Sequence, residues 1–115
     1  MDDHELAGHL ANLAGQALLT LRTDALDQGV SQWDLRNQGD MLGHRVLVEA
    51  LGQHRPNDAI LSEEGADHHS RLDAPRTWII DPLDGTREFT MGIPEFVVSV
   101  GLVIDGQAVL GVLYN

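Results

Sequence analysis

Two aspartates, Asp81 and Asp84, stand three residues apart in "WIIDPLDGTREF", residues 78–89, and a Glu63-Glu64 pair precedes them in "SEEG". Carboxylates crowded together repel one another and resist double ionisation unless a cation lies between them. A hard divalent ion such as Mg²⁺ binds through one or two carboxylates, with substrate phosphate completing its shell. Asp followed by Pro is favoured at the first two places of a type I turn, so the spacing predicts a four-residue turn from Asp81 to Asp84. Such a turn holds its end Cα atoms within about 7 Å, where a continuous strand would hold them roughly 10 Å apart. Gly85 and Thr86 come next, at what reads as the start of a short helical turn, whose amides would favour phosphate oxygens. A plainer reading fits the same residues: Asp84 caps that turn and Asp81 fixes the bend. Glu63 and Glu64 end another apolar run 18 residues before Asp81. One of them is a candidate third oxygen ligand; the alternative is an exposed acidic strand end.

These residues need elements to hold them. Leu6, Leu10, Leu13, Ala14, Ala17, Leu18 and Leu21 recur at helical spacing and predict an amphipathic helix over roughly residues 3–26, with Asp2 and Asp3 at its start and Gly29 at the break after it. Residues 30–39, "VSQWDLRNQG", read as irregular, and a second helix is expected from Asp40 to about His54, ended by Pro56. "DAILSEE" reads as a short strand, and "TWIID" as a strand buried on both faces. "FVVSVGLVI" and "AVLGVLY" form a hairpin across "DGQ", because Asp-Gly is a strong signal for a tight turn. The expected fold class is α+β: two helices packed on a mainly antiparallel sheet, in a single domain over residues 1–115.

Composition narrows the chemistry. With 18 acidic against 7 basic residues the 115-residue chain carries a net charge of −11, which repels nucleic acid polymers and anionic membranes at long range. It has no cysteine, which excludes disulfides, thiolate catalysis and Cys-ligated zinc. The N-terminus lacks the pattern of a secretory signal and no apolar run reaches membrane-spanning length, so a cytoplasmic location is the default expectation. Six histidines show no H-E-x-x-H spacing, and His4, His9, His44 and His54 read as helix-surface residues. Adjacent His68 and His69 are poorly placed to converge on one ion. Ser62 has neither a matched base nor a G-x-S-x-G context, and no G-x-x-x-x-G-K-[ST] loop is present. Trp33 and Trp78 read as packing residues.

"SEEG" followed by "WIIDPLDGTREF" resembles the inositol monophosphatase-like superfamily of Mg²⁺-dependent, lithium-sensitive phosphatases. Six consecutive signature positions, Asp81 to Thr86, match, and the acidic pair lies upstream. "GIPEFVVSVGLVIDGQAVLGVLYN" is similar to the hairpin that follows the signature. "DGTREF", through Arg87 and Glu88, resembles the form found in CysQ-like 3'(2'),5'-bisphosphate nucleotidases. The resemblance implies a layered α/β sandwich of which this chain looks like the N-terminal half. It also implies two or three Mg²⁺ ions in a complete enzyme. Glu63, Asp81 and the backbone carbonyl of Leu83 would hold the first ion, Asp81 and Asp84 the second. The amides of Gly85 and Thr86 would grip the substrate phosphate beside Asp84, and Glu63 with the Thr86 hydroxyl would position water. Asp40, 23 residues before Glu63, falls where the family places an aspartate that supports this threonine, although "NQGD" departs from the usual Thr-x-Ala-Asp. A helix cap and a catalytic support are equally good readings of Asp40.

The activity implied is hydrolysis of 3'-phosphoadenosine 5'-phosphate to AMP and phosphate, with inositol monophosphate or fructose 1,6-bisphosphate as alternative substrates. A reading of another class is a non-catalytic metal-binding fragment, or one half of a split assembly, because the family's later Trp-Asp motif is absent. Dimerisation or a missing C-terminal half is the corresponding expectation for partners.

Overall fold

The computed structural model describes residues 1–62, 74–84 and 97–114. Helix α1 spans Asp3–Asp27 and begins where Asp2 accepts a hydrogen bond from the Glu5 amide at 2.7 Å. That carboxylate satisfies one of the donors every helix start leaves open. At the other end Gly29 takes a φ of 71°, and the amides of Gly29 and Val30 bond to the carbonyls of Leu26 and Ala25 at 3.3 and 3.0 Å. This is the paired closure that a left-handed residue after a helix permits, and glycine adopts it without steric cost.

Helix α2 spans Gln32–His54, starting two turns before the expected Asp40. Ser31 is its cap, accepting from the Asp34 amide at 3.1 Å. The stretch read as irregular is therefore helical. Its Gln, Arg and Leu residues are adequate helix formers, and the polar composition reflects an exposed flank, with only Leu35 and Gly39 buried among its residues 32–39. Asp40 is consequently not a cap but lies in the third turn. Trp33 does not pack either; it is 71% exposed.

Four strands form one sheet among the described residues: β1 (Ala59–Ser62), β2 (Arg76–Asp84), β3 (Val97–Ile104) and β4 (Gln107–Tyr114), in that spatial order. β1 and β2 are parallel, whereas β2–β3 and β3–β4 are antiparallel, so the sheet is mixed and mainly antiparallel. The β3–β4 connection is a two-residue turn with φ of 51° at Asp105 and 81° at Gly106, the twist that a tight hairpin requires.

Alternation decides which face meets the helices. Trp78 and Ile80 lie across from Leu102 and Val100, and all four are buried with Val98. They pack with Leu6, Leu10, Leu18, Leu35, Leu47 and Leu51 from the helices into one core. Leu13, expected to face inward, is 40% exposed, and Ile79 is 42% exposed because it points to the face away from the helices. Among the described residues, the helices cover β2 on the Trp78 and Ile80 side, and on the other side Thr77 is buried while Ile79 is exposed.

A charged network closes the end of the sheet where β2 begins. Arg76 donates to Asp3 at 2.7 Å and to both oxygens of Asp58 at 3.1 Å, and Arg55 donates to Asp3 at 3.1 Å. Trp78 adds its indole N–H to Asp58 at 2.9 Å. The Arg76 and Arg55 guanidinium groups hold the Asp3 carboxyl below its ordinary range, with the Arg76 hydrogen bond the larger cause. This network ties the start of α1 and the end of α2 to β2, at the opposite end from Asp81.

Candidate metal centre

Pro82 sits between Asp81 and Asp84, yet pairing with β3 continues past it. Asp81 is registered with Ser99 and Asp84 with Val97, so three steps on β2 are matched by two on β3. The expected type I turn is replaced by a β-bulge. Both flanking aspartates keep ladder partners, and the one residue type lacking an N–H falls where a bulge interrupts the ladder.

The bulge has a consequence for the carboxylates. On a regular strand, positions three apart point to opposite faces. Ser99 and Val97 are two apart and share a face, so the extra residue puts positions 81 and 84 on one side of the ladder. The complementary positions confirm the shift: Ile80 and Leu83, also three apart, are both in the core at 2% and 5% exposure. Asp81 itself is half-buried.

Asp40 is half-buried on α2, one turn before His44, so the two share a helix face. His44 is not a plain surface residue. Its Nδ1 lies 3.0 Å from the Ser62 hydroxyl at the end of β1, and Ser62 is 7% exposed. The Asp40–His44 face of α2 is therefore turned towards the ends of β1 and β2. The sequence reading missed this contact; its only trace is the four-residue interval between Asp40 and His44. His9 and His54 meet edge to face across the two helices, with ring centroids 6.1 Å apart.

Glu63, Glu64, Gly85, Thr86, Arg87, Glu88, His68 and His69 lie outside the described residues, and of Asp84 the backbone register is described. Among the described residues no three His, Asp or Glu side chains converge as a metal-holding group. The donors that are described, Asp81 and position 84 on one side of the strand, are carboxylates with no thiolate in the chain. That donor chemistry fits a hard cation such as Mg²⁺ and does not fit a soft one. Among the described residues, a cavity of about 490 Å³ beside α2 is lined by Leu21, Gln38, Met41, Leu42, His44 and Arg45, and not by Asp40, Asp81 or Leu83.

The profile of the inositol monophosphatase family matches residues 3–115. The chain belongs to this family. It is 45% identical over 104 residues to the 3'-phosphoadenosine 5'-phosphate phosphatase of Mycobacterium leprae, an alignment covering 89% of this chain and 37% of that protein. Among solved structures, inositol monophosphatase II from Staphylococcus aureus superposes with a TM-score of 0.83 at 28% identity, over 99% of this chain and 41% of that one. CysQ from Bacteroides thetaiotaomicron, a bacterial member of the inositol monophosphatase family, gives a TM-score of 0.76 at 31% identity over 96% and 41%. The chain thus spans about 37% to 41% of the length of these inositol monophosphatase family members. Over the matched part, the two solved structures share the arrangement described above, two helices on a mixed four-stranded sheet. Among the described residues, no helix is long and apolar enough to cross a membrane.

Proposed function

We propose that this chain carries the carboxylate half-site of a Mg²⁺-dependent, lithium-sensitive phosphomonoesterase that converts 3'-phosphoadenosine 5'-phosphate to AMP and phosphate. The observation that carries the reading is the bulge in β2, which sets positions 81 and 84 on one side of the strand. The parallel pairing of β1 and β2 adds to it. Ser62 is opposite Ile80, and the next residues in sequence are Glu63 and Asp81. With about 3.8 Å between successive Cα atoms and about 4.8 Å between strands, chain connectivity keeps residues 63 and 81 within about 12 Å. Side chains of that length bridge such a gap to a shared ion.

Glu63, Asp81, Asp84 and the Leu83 carbonyl would hold Mg²⁺, which supplies positive charge against the developing phosphoryl charge and acidifies nearby water. The amides of Gly85 and Thr86 would orient the phosphate. Glu63 would accept a proton from the attacking water, whose oxygen forms the new bond to phosphorus as the bond to the 3'-oxygen breaks and that oxygen gains a proton. Asp40 would fix the Thr86 hydroxyl from α2. The match to a 3'-phosphoadenosine 5'-phosphate phosphatase, 45% identical over 104 residues, supports that substrate, and a match to an inositol-1-monophosphatase, 46% identical over 70 residues, keeps inositol phosphate as the alternative.

A second reading rests on the length relation: the 115 residues form one metal-binding domain that turns over only when a partner or a further segment completes the site. Phosphate release from 3'-phosphoadenosine 5'-phosphate, inositol 1-phosphate and fructose 1,6-bisphosphate, with Mg²⁺ and then with added lithium, separates the two. Lithium-inhibited release from the first substrate, abolished in Asp84→Asn, supports the enzyme. Magnesium binding without release from any of the three supports the half-site alone.

A further inference from the structure

Ser62 is the residue immediately before Glu63, and it is held from outside its own strand. The His44 ring reaches across from α2 to place Nδ1 3.0 Å from the Ser62 hydroxyl. Ser62 is 7% exposed and registered with Ile80, itself the neighbour of Asp81. This hydrogen bond therefore couples α2 to the end of β1, beside the strand that carries Asp81. We propose that His44 is a positioning residue for the metal centre: through Ser62 it fixes the end of β1, and with it the place from which Glu63 reaches the ion. The proposal rests on the metal-site reading above and assigns His44 no direct contact with metal or substrate.

The physical basis is geometric. Among the described residues, β1 is a four-residue strand at the edge of the sheet, paired with β2. Such a short edge frays readily at its end, and a hydrogen bond to a buried hydroxyl opposes this. Groups that orient a metal ligand from outside the coordination shell typically matter by about 10- to 100-fold in metal affinity. His44 acts one residue further along the chain than a direct partner of Glu63, so its loss should weaken affinity by about tenfold, the lower edge of that range.

The test is Mn²⁺ titration calorimetry on the 115-residue chain, with thermal unfolding and amide hydrogen exchange on the same samples. His44→Ala and Ser62→Ala should each weaken Mn²⁺ binding to a similar extent, and the double variant should lose no more than either alone. His44→Asn, whose amide places a polar atom near the Nδ1 position, should restore most of the affinity. Exchange should accelerate at the amides of Leu61 and Ser62 in His44→Ala and stay unchanged in β3. Unchanged Mn²⁺ affinity in a folded His44→Ala chain, or additive losses in the double variant, overturns the positioning role while leaving the metal site standing. Failure of the unsubstituted chain to bind Mn²⁺ overturns the metal-site reading and this proposal together.

Discussion

The residues that carry the account are two aspartates whose separation along the chain is three and whose separation in the ladder is two. The β2 bulge makes that difference, so each carboxylate should matter for cation binding. Asp81→Asn should weaken Mg²⁺ binding by at least the ~10-fold that even outer-shell changes cost. Arg76 is the reverse case. Its loss leaves Asp58, only 9% exposed at its side chain, without its guanidinium partner. Arg76→Leu should cost about 1.5–3 kcal/mol in urea unfolding, the range for hydrogen bonds to charged groups, with metal binding intact. The same network sets an acid limit. The Asp3 pKa is lowered in the folded chain, so its contribution is fully present above the unfolded value of 3.8 and is lost as pH falls through the lower folded value. Unfolding free energy should therefore decline below about pH 4, and Asp3→Asn should flatten that decline. The paired aspartates were legible because residue type and spacing alone suggest a cation. The His44–Ser62 contact was not, because it joins positions 18 apart through a tertiary packing that no local pattern encodes.

Elements show the same division between local and non-local causes. The closure of α1 at Gly29 and the Asp105-Gly106 hairpin were readable, because each depends on a residue tolerating positive φ where the chain must turn. Gly106→Val should cost about 1–2 kcal/mol, the penalty of a left-handed conformation for a residue with a Cβ, measured by chemical unfolding. The start of α2 was misread. Hydrophobic periodicity is faint across residues 32–39 because that flank is largely exposed, and the deciding signal was one capping serine. Ser31→Ala should cost about 0.5–2 kcal/mol and fray the first turns, seen as reduced helical circular dichroism. The bulge was illegible for a different reason. Asp-Pro read in isolation favours a turn, and only pairing with Ser99 and Val97 reveals that β2 runs on.

At the scale of the molecule, among the described residues, helices cover one face of the sheet and the other face is partly exposed. Ile79 is 42% exposed and Leu61 and Val103 are half-buried on that second face. Exposed apolar area on a sheet face favours association. Sedimentation at tens of micromolar should give at least the mass of a dimer, and Ile79→Lys should shift it towards monomer. The central claim remains that this small α+β unit presents a carboxylate site for a divalent cation. Calorimetric titration of Mg²⁺ into the 115-residue chain, alongside Asp81→Asn and Asp84→Asn, addresses it most directly. The account predicts saturable, chelator-reversible binding that both substitutions remove while the chain remains folded. Absence of binding in the unsubstituted chain, or equal binding in all three, would contradict it.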